Sequence, residues 1–79
     1  MERAYETLRI LRSGGTIDLE GIKLKAVMGD MGPGDLYVAE RNTGPVLLTV
    51  KEIKNDIVFP TCDGYAFDRH ECVKVREDL

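Results

Sequence analysis

The chain has 79 residues, a mass of 8.8 kDa, a net charge of −3 and a pI near 5.0. A chain this short buries only about 60–65% of its unfolded surface, which excludes a two-domain enzyme, a repeat solenoid and a doubly wound nucleotide-binding fold. Apolar residues make up 43% of the chain and fall in patterned runs, so disorder is excluded too. The mild acidity excludes a general nucleic-acid binder with a basic face.

Met1 to Gly15 is charged throughout and lacks the apolar stretch of a secretory signal. No apolar run approaches the roughly 18 residues that span a bilayer, so no membrane partner is expected. Cys62 and Cys72, the two cysteines, are therefore expected as reduced thiols in a cytoplasmic protein. Residues 1–79 are read as a single domain. With no staple, a chain this small gains buried surface by self-association, and a homo-oligomer is expected.

The chain opens with a helix over 1–13. Met1, Ala4, Tyr5, Leu8 and Leu11 share one face, while Glu2, Arg3, Glu6, Arg9 and Arg12 lie mostly opposite. Ile10 sits off the apolar stripe. Ser13-Gly14-Gly15 ends the helix, because glycine takes the left-handed C-terminal position without strain. From Thr16 the pattern becomes alternating. Ile17 and Leu19, a turn at Glu20-Gly21, then Ile22, Leu24 and Ala26 predict a β-hairpin.

Gly29 to Gly34, with three glycines and a proline, is a loop. Asp35 to Arg41 reads as a strand, Asn42 to Pro45 as a turn, and Val46 to Lys54 as a long central strand. Asn55-Asp56 is a tight turn, and Ile57 to Phe59 a short strand closed by Pro60. Thr61 to Gly64 is a loop. Phe67 to Glu71 has the length of a single 3₁₀ turn, Cys72 to Val75 ends the last strand, and 76–79 is a polar tail. The expected fold class is α+β, mostly β: an N-terminal amphipathic helix and a five- to six-stranded antiparallel meander. Closing that meander into a small SH3-like barrel removes its exposed edges. An open antiparallel sheet with the helix packed across it is the main rival.

Asp68, His70 and Cys72 name the parts of a cysteine nucleophile with its base and orienter. Same-side neighbours along a strand stand about 6.6–7 Å apart. A nucleophile and its base need to be within roughly 3 Å, so no enzyme is expected here. Cys72 reads as a small core residue. As metal ligands, Cys62, His70 and Cys72, with Asp68, lack the close cysteine pair that marks structural zinc sites. Neither a metal nor another cofactor is expected. The Gly29–Gly34 loop lacks both the Lys-Ser/Thr ending and the following helix of a phosphate cradle.

Two clusters are candidates for ligand binding. Arg41, Asn42 and Thr43 place a guanidinium, an amide and a hydroxyl at one strand end, suited to a phosphate or a base edge. The same residues also fit a plain hairpin turn. Tyr65, Phe67, Arg69 and His70 combine two aromatics with charged donors, as a planar ligand or a protein hot spot requires. One of these aromatics equally suits the end of a barrel.

The stretches PGDLYVAERNTGPVLLTV (Pro33 to Val50) and GYAFDRHECVKV (Gly64 to Val75) resemble short phage and prophage proteins of Gram-positive-type bacteria. The resemblance implies a setting in which small cytoplasmic proteins inhibit host defence, by sequestering a nucleotide signal or by blocking a protein. It supplies no residue roles. The expected function is a small non-enzymatic binding module that sequesters a nucleotide-like signal at oligomer interfaces. The alternative is a protein-binding inhibitor or adaptor acting on a host protein through a surface patch. Its acidic residues are spread among lysines and form no concentrated acidic face. A plainer third reading is a structural or regulatory barrel in a larger complex.

Overall fold

The computed structural model describes residues 6–41, 43–62 and 64–78. In chain order the elements are α1 (Glu6–Arg12), β1 (Thr16–Leu19), β2 (Ile22–Ala26), β3 (Leu36–Arg41) and β4 (Gly44–Lys54). There follow β5 (Ile57–Pro60), β6 (Phe67–Asp68), a 3₁₀ turn (Arg69–Glu71) and β7 (Cys72–Glu77). The seven strands form one open antiparallel sheet in the order β1-β2-β7-β3-β4-β5-β6. The expected mostly-β fold with a short N-terminal helix is what the chain adopts. The helix is short, and no described helix is long and apolar enough to cross a membrane.

The strand order departs from a simple meander. β7 inserts between β2 and β3, pairing Leu24 with Glu77 on one side and Val38 with Val73 on the other. Arg76 and Glu77, expected in a polar tail, therefore belong to β7, where their own side chains face water while their backbone is paired. Phe67–Asp68 adds a short seventh strand against β5, where a turn alone was expected. β1 approaches β4 on the helix side, but among the described residues no ladder joins them.

The local signals act as their chemistry predicts. Gly14 takes φ +94°, and the Gly15 and Gly14 N–H groups donate to the Ile10 and Leu11 carbonyls. That paired arrangement closes the helix C-terminus with a left-handed residue after the cap. Both two-residue hairpins, at Glu20-Gly21 and Asn55-Asp56, have positive φ at both central positions, which matches the twist of the strands they join. The helix start expected at Met1, Ala4 and Tyr5 lies outside the described residues.

Side chains alternate along β3 and so build two interiors. Val38 faces the helix, where Leu8, Leu11, Leu24, Val73 and Val75 form an aliphatic cluster. Buried Glu40 lies on that face as well, and its carboxylate accepts the Leu8 N–H at 3.4 Å. Tyr37 and Ala39 face the other way, with Val50, Val58 and Cys72. The ladder register slips at Lys51, and a slip of this kind bends a strand. The bend carries β5 and β6 back so that Ile53, Val58 and Phe67 cover the Tyr37 face.

Candidate functional site

Arg41 ends β3 on the same side as Tyr37 and Ala39, the side over which β5 and β6 fold. The loop from β5 to β6 brings Tyr65 to it. The guanidinium carbon of Arg41 stands 4.3 Å from the centre of the Tyr65 ring. That is cation–π distance, and at an exposed site such a pair contributes about 0.5–1 kcal/mol. Tyr65 remains 64% exposed, so most of this ring is open to a partner. The two clusters singled out in the sequence thus meet at one point. Thr43 is exposed beside the strand end, and Asn42 lies outside the described residues.

The rest of the second cluster divides. Phe67 is half-buried and packs on the Tyr37 interior, so its ring closes the core. Arg69 and His70 are exposed and line a cleft of about 410 Å³ with Asp56. That volume lies in the range of small-ligand sites, about 300–1,000 Å³. The Arg69 guanidinium lies 3.4 Å from Asp30 and 3.8 Å from Asp56, and the Arg69 backbone N–H donates to the Asp56 carbonyl at 2.8 Å. Exposed ion pairs of this kind contribute about 0–1 kcal/mol, so a ligand anion can draw the side chain away at small cost.

Asp30 and Asp56 were not visible as site residues in the sequence. One sits in the glycine-rich loop and the other in a hairpin turn, far apart in the chain. The turn chemistry of each explained the residue without any further role.

Cys72 has none of the features of a nucleophile. It is buried, and its thiol is pushed up to about 12, chiefly by burial, with the Glu71 and Asp68 charges adding and Arg12 opposing. Its Sγ donates toward the Asp68 carbonyl at 3.5 Å rather than toward the His70 ring. The thiolate needed for attack is therefore disfavoured. Tyr37, fully buried nearby, is also pushed up to about 12, again mainly by burial, with Cys72 and Cys62 contributing. Both cysteines are free, Cys62 exposed and Cys72 buried.

The ligand set considered in the sequence, with Cys62 and Cys72, is not the one that converges. Asp68, His70 and Glu71 bring one ligand atom each to within 4.8 Å of the others. Glu71, in the sequence only the last residue of the expected 3₁₀ turn, completes the set. No family model, curated protein or solved structure matches this chain.

Proposed function

We propose that the protein is a small non-enzymatic binding module for a nucleotide-like ligand, with Arg41 and Tyr65 as its recognition pair. The observation that carries this reading is their convergence: a guanidinium held 4.3 Å above a largely exposed aromatic ring. A guanidinium offers forked donors to a phosphate, and an aromatic ring offers a face to a base. Holding the arginine on the ring beforehand lowers the ordering cost of binding. Arg69 and His70, on the 410 Å³ cleft, are the reserve of polar donors for the same ligand class.

A chain of this size encloses a ligand best when a second copy closes the site, so the module acts as a homo-oligomer with its ligand at the boundary. In the phage-type setting that the resemblance implies, this is sequestration of a host signal in the cytoplasm. A curled sheet whose β1 edge approaches β4 supports the SH3-like barrel as its architecture. The second reading is an inhibitor or adaptor for a host protein. It draws on the same Arg41–Tyr65 pair, because tyrosine and arginine are the residue types that dominate protein hot spots.

Native mass spectrometry of the protein purified from cells separates the two. The expected result is an oligomer carrying a nucleotide-sized adduct, lost in Arg41→Ala and in Tyr65→Ala while the circular dichroism is unchanged. A bare monomer that instead captures a protein through the same two residues replaces this reading with the second.

A further inference from the structure

We propose that Asp68, His70 and Glu71 form a binding site for one divalent transition ion of borderline softness, represented by Zn²⁺. This goes beyond the ligand reading above and stands whether or not Arg41 and Tyr65 receive a nucleotide. The three side chains come from one short stretch. Asp68 ends β6, while His70 and Glu71 lie on the 3₁₀ turn that leads into β7. Their ligand atoms are within 4.8 Å of one another, two carboxylate oxygens and one imidazole nitrogen. Ligands around a tetrahedral zinc stand roughly 3.4 Å apart, so small rotations of two exposed side chains close the set.

Two carboxylates converge here without a basic partner among the described residues. Two arginines lie on or beside the same turn, and neither bonds these carboxylates. Arg12 donates to the His70 carbonyl, and Arg69 turns to Asp30 and Asp56. Asp68 occupies the cap position of the turn, yet its side chain makes no capping bond. Among the described residues, none of the three side chains is engaged in a hydrogen bond or ion pair.

The backbone beneath the three ligands is fixed from several sides. The Arg69 N–H donates to Asp56, the Cys72 N–H to the Arg69 carbonyl, and the Arg12 guanidinium to the His70 carbonyl. A site held on a braced turn loses less freedom on binding than one held on a free loop. One imidazole and two carboxylates suit zinc and its neighbours, whereas calcium and magnesium prefer all-oxygen shells. Three protein ligands leave a fourth position open, the form of sites that also hold water or a ligand oxygen. His70 also lines the cleft, so the site adjoins a space in which a ligand can sit.

The test uses the full chain after chelator treatment, titrated with Zn²⁺ by calorimetry. One equivalent per chain is expected, weakened about tenfold or more by His70→Ala and by Glu71→Gln, and unchanged by Cys62→Ala, which removes the exposed competing thiol. A second measurement needs no variant. The chain has a single histidine, so its imidazole resonances are unambiguous, and substoichiometric Co²⁺ is expected to broaden them first. Absence of saturable uptake, uptake that survives His70→Ala, uptake lost in Cys62→Ala, or histidine signals untouched by Co²⁺ would each overturn the proposal.

Discussion

The two faces of β3 show how one strand serves two ends. On the helix side the interior is aliphatic, and the buried Glu40 carboxylate on that face accepts a backbone N–H of α1. On the other side the interior contains a thiol, a tyrosine hydroxyl and the Phe67 ring, closed by two short strands and a loop. Every residue proposed to bind a ligand or an ion belongs to this second side or to its connections. Aliphatic packing holds the sheet and the helix together. The chemically varied side presents groups to solvent.

The sharpest way to break this comparison is to damage the helix face. Leu11 is 1% exposed within the aliphatic cluster. Leu11→Ala is expected to cost about 2–5 kcal/mol, the range for deleting a buried leucine side chain. A domain of this size has a total stability of only about 4–12 kcal/mol, so the variant should show a much lower denaturation midpoint. A loss well under that range would mean that α1 packs loosely, and that the sheet stands without it.

A smaller effect is expected where the helix ends. Gly14 sits at φ +94° with nothing near the position of an added Cβ, so an alanine there meets backbone strain alone. Gly14→Ala is expected to cost about 1–2 kcal/mol, measured by denaturant midpoint. Gly15 differs, since its added Cβ would lie 2.7 Å from the Ile10 side chain. There the penalty is a steric clash rather than a backbone one.

Much of this division was legible in the sequence, and its limits follow from range. Leu8 and Leu11 are marked as core by helical spacing, and Gly21 and Asn55-Asp56 mark turns by their tolerance of positive φ. Those signals are local. The insertion of β7 between β2 and β3 depends on pairing between distant segments, which no periodicity records. The outward side chains of Arg76 and Glu77 suggest a tail because nothing in the side chains reports a paired backbone. The site follows the same rule. Arg41 and Tyr65 are each recognisable by type, but their meeting depends on the bend at Lys51 that folds β5 and β6 over. Glu71 joins Asp68 and His70 through the turn geometry, which spacing alone leaves open.

The finest test concerns the polar atom that separates the two interiors. The Tyr37 hydroxyl is buried and has no hydrogen-bond partner among the described residues. A buried donor without a partner carries its desolvation penalty uncompensated, so removing it should cost nothing. Tyr37→Phe is therefore expected to lie within about 1 kcal/mol of the wild type at neutral pH, on the stabilising side. The two proteins should part at high pH. Burial raises the Tyr37 pKa from 10.0 to about 12 in the folded state, so folding favours the protonated phenol. The unfolded chain then loses its proton first, and stability that is complete below pH 10 falls as the pH rises towards 12. Tyr37→Phe lacks this ionisable group and should decline less steeply over that window, as read from denaturation midpoints against pH. Parallel decline of the two proteins would mean that the hydroxyl reaches water, and a marked loss in Tyr37→Phe at neutral pH that it is satisfied inside the protein. In the latter case the second interior would be as well closed as the first.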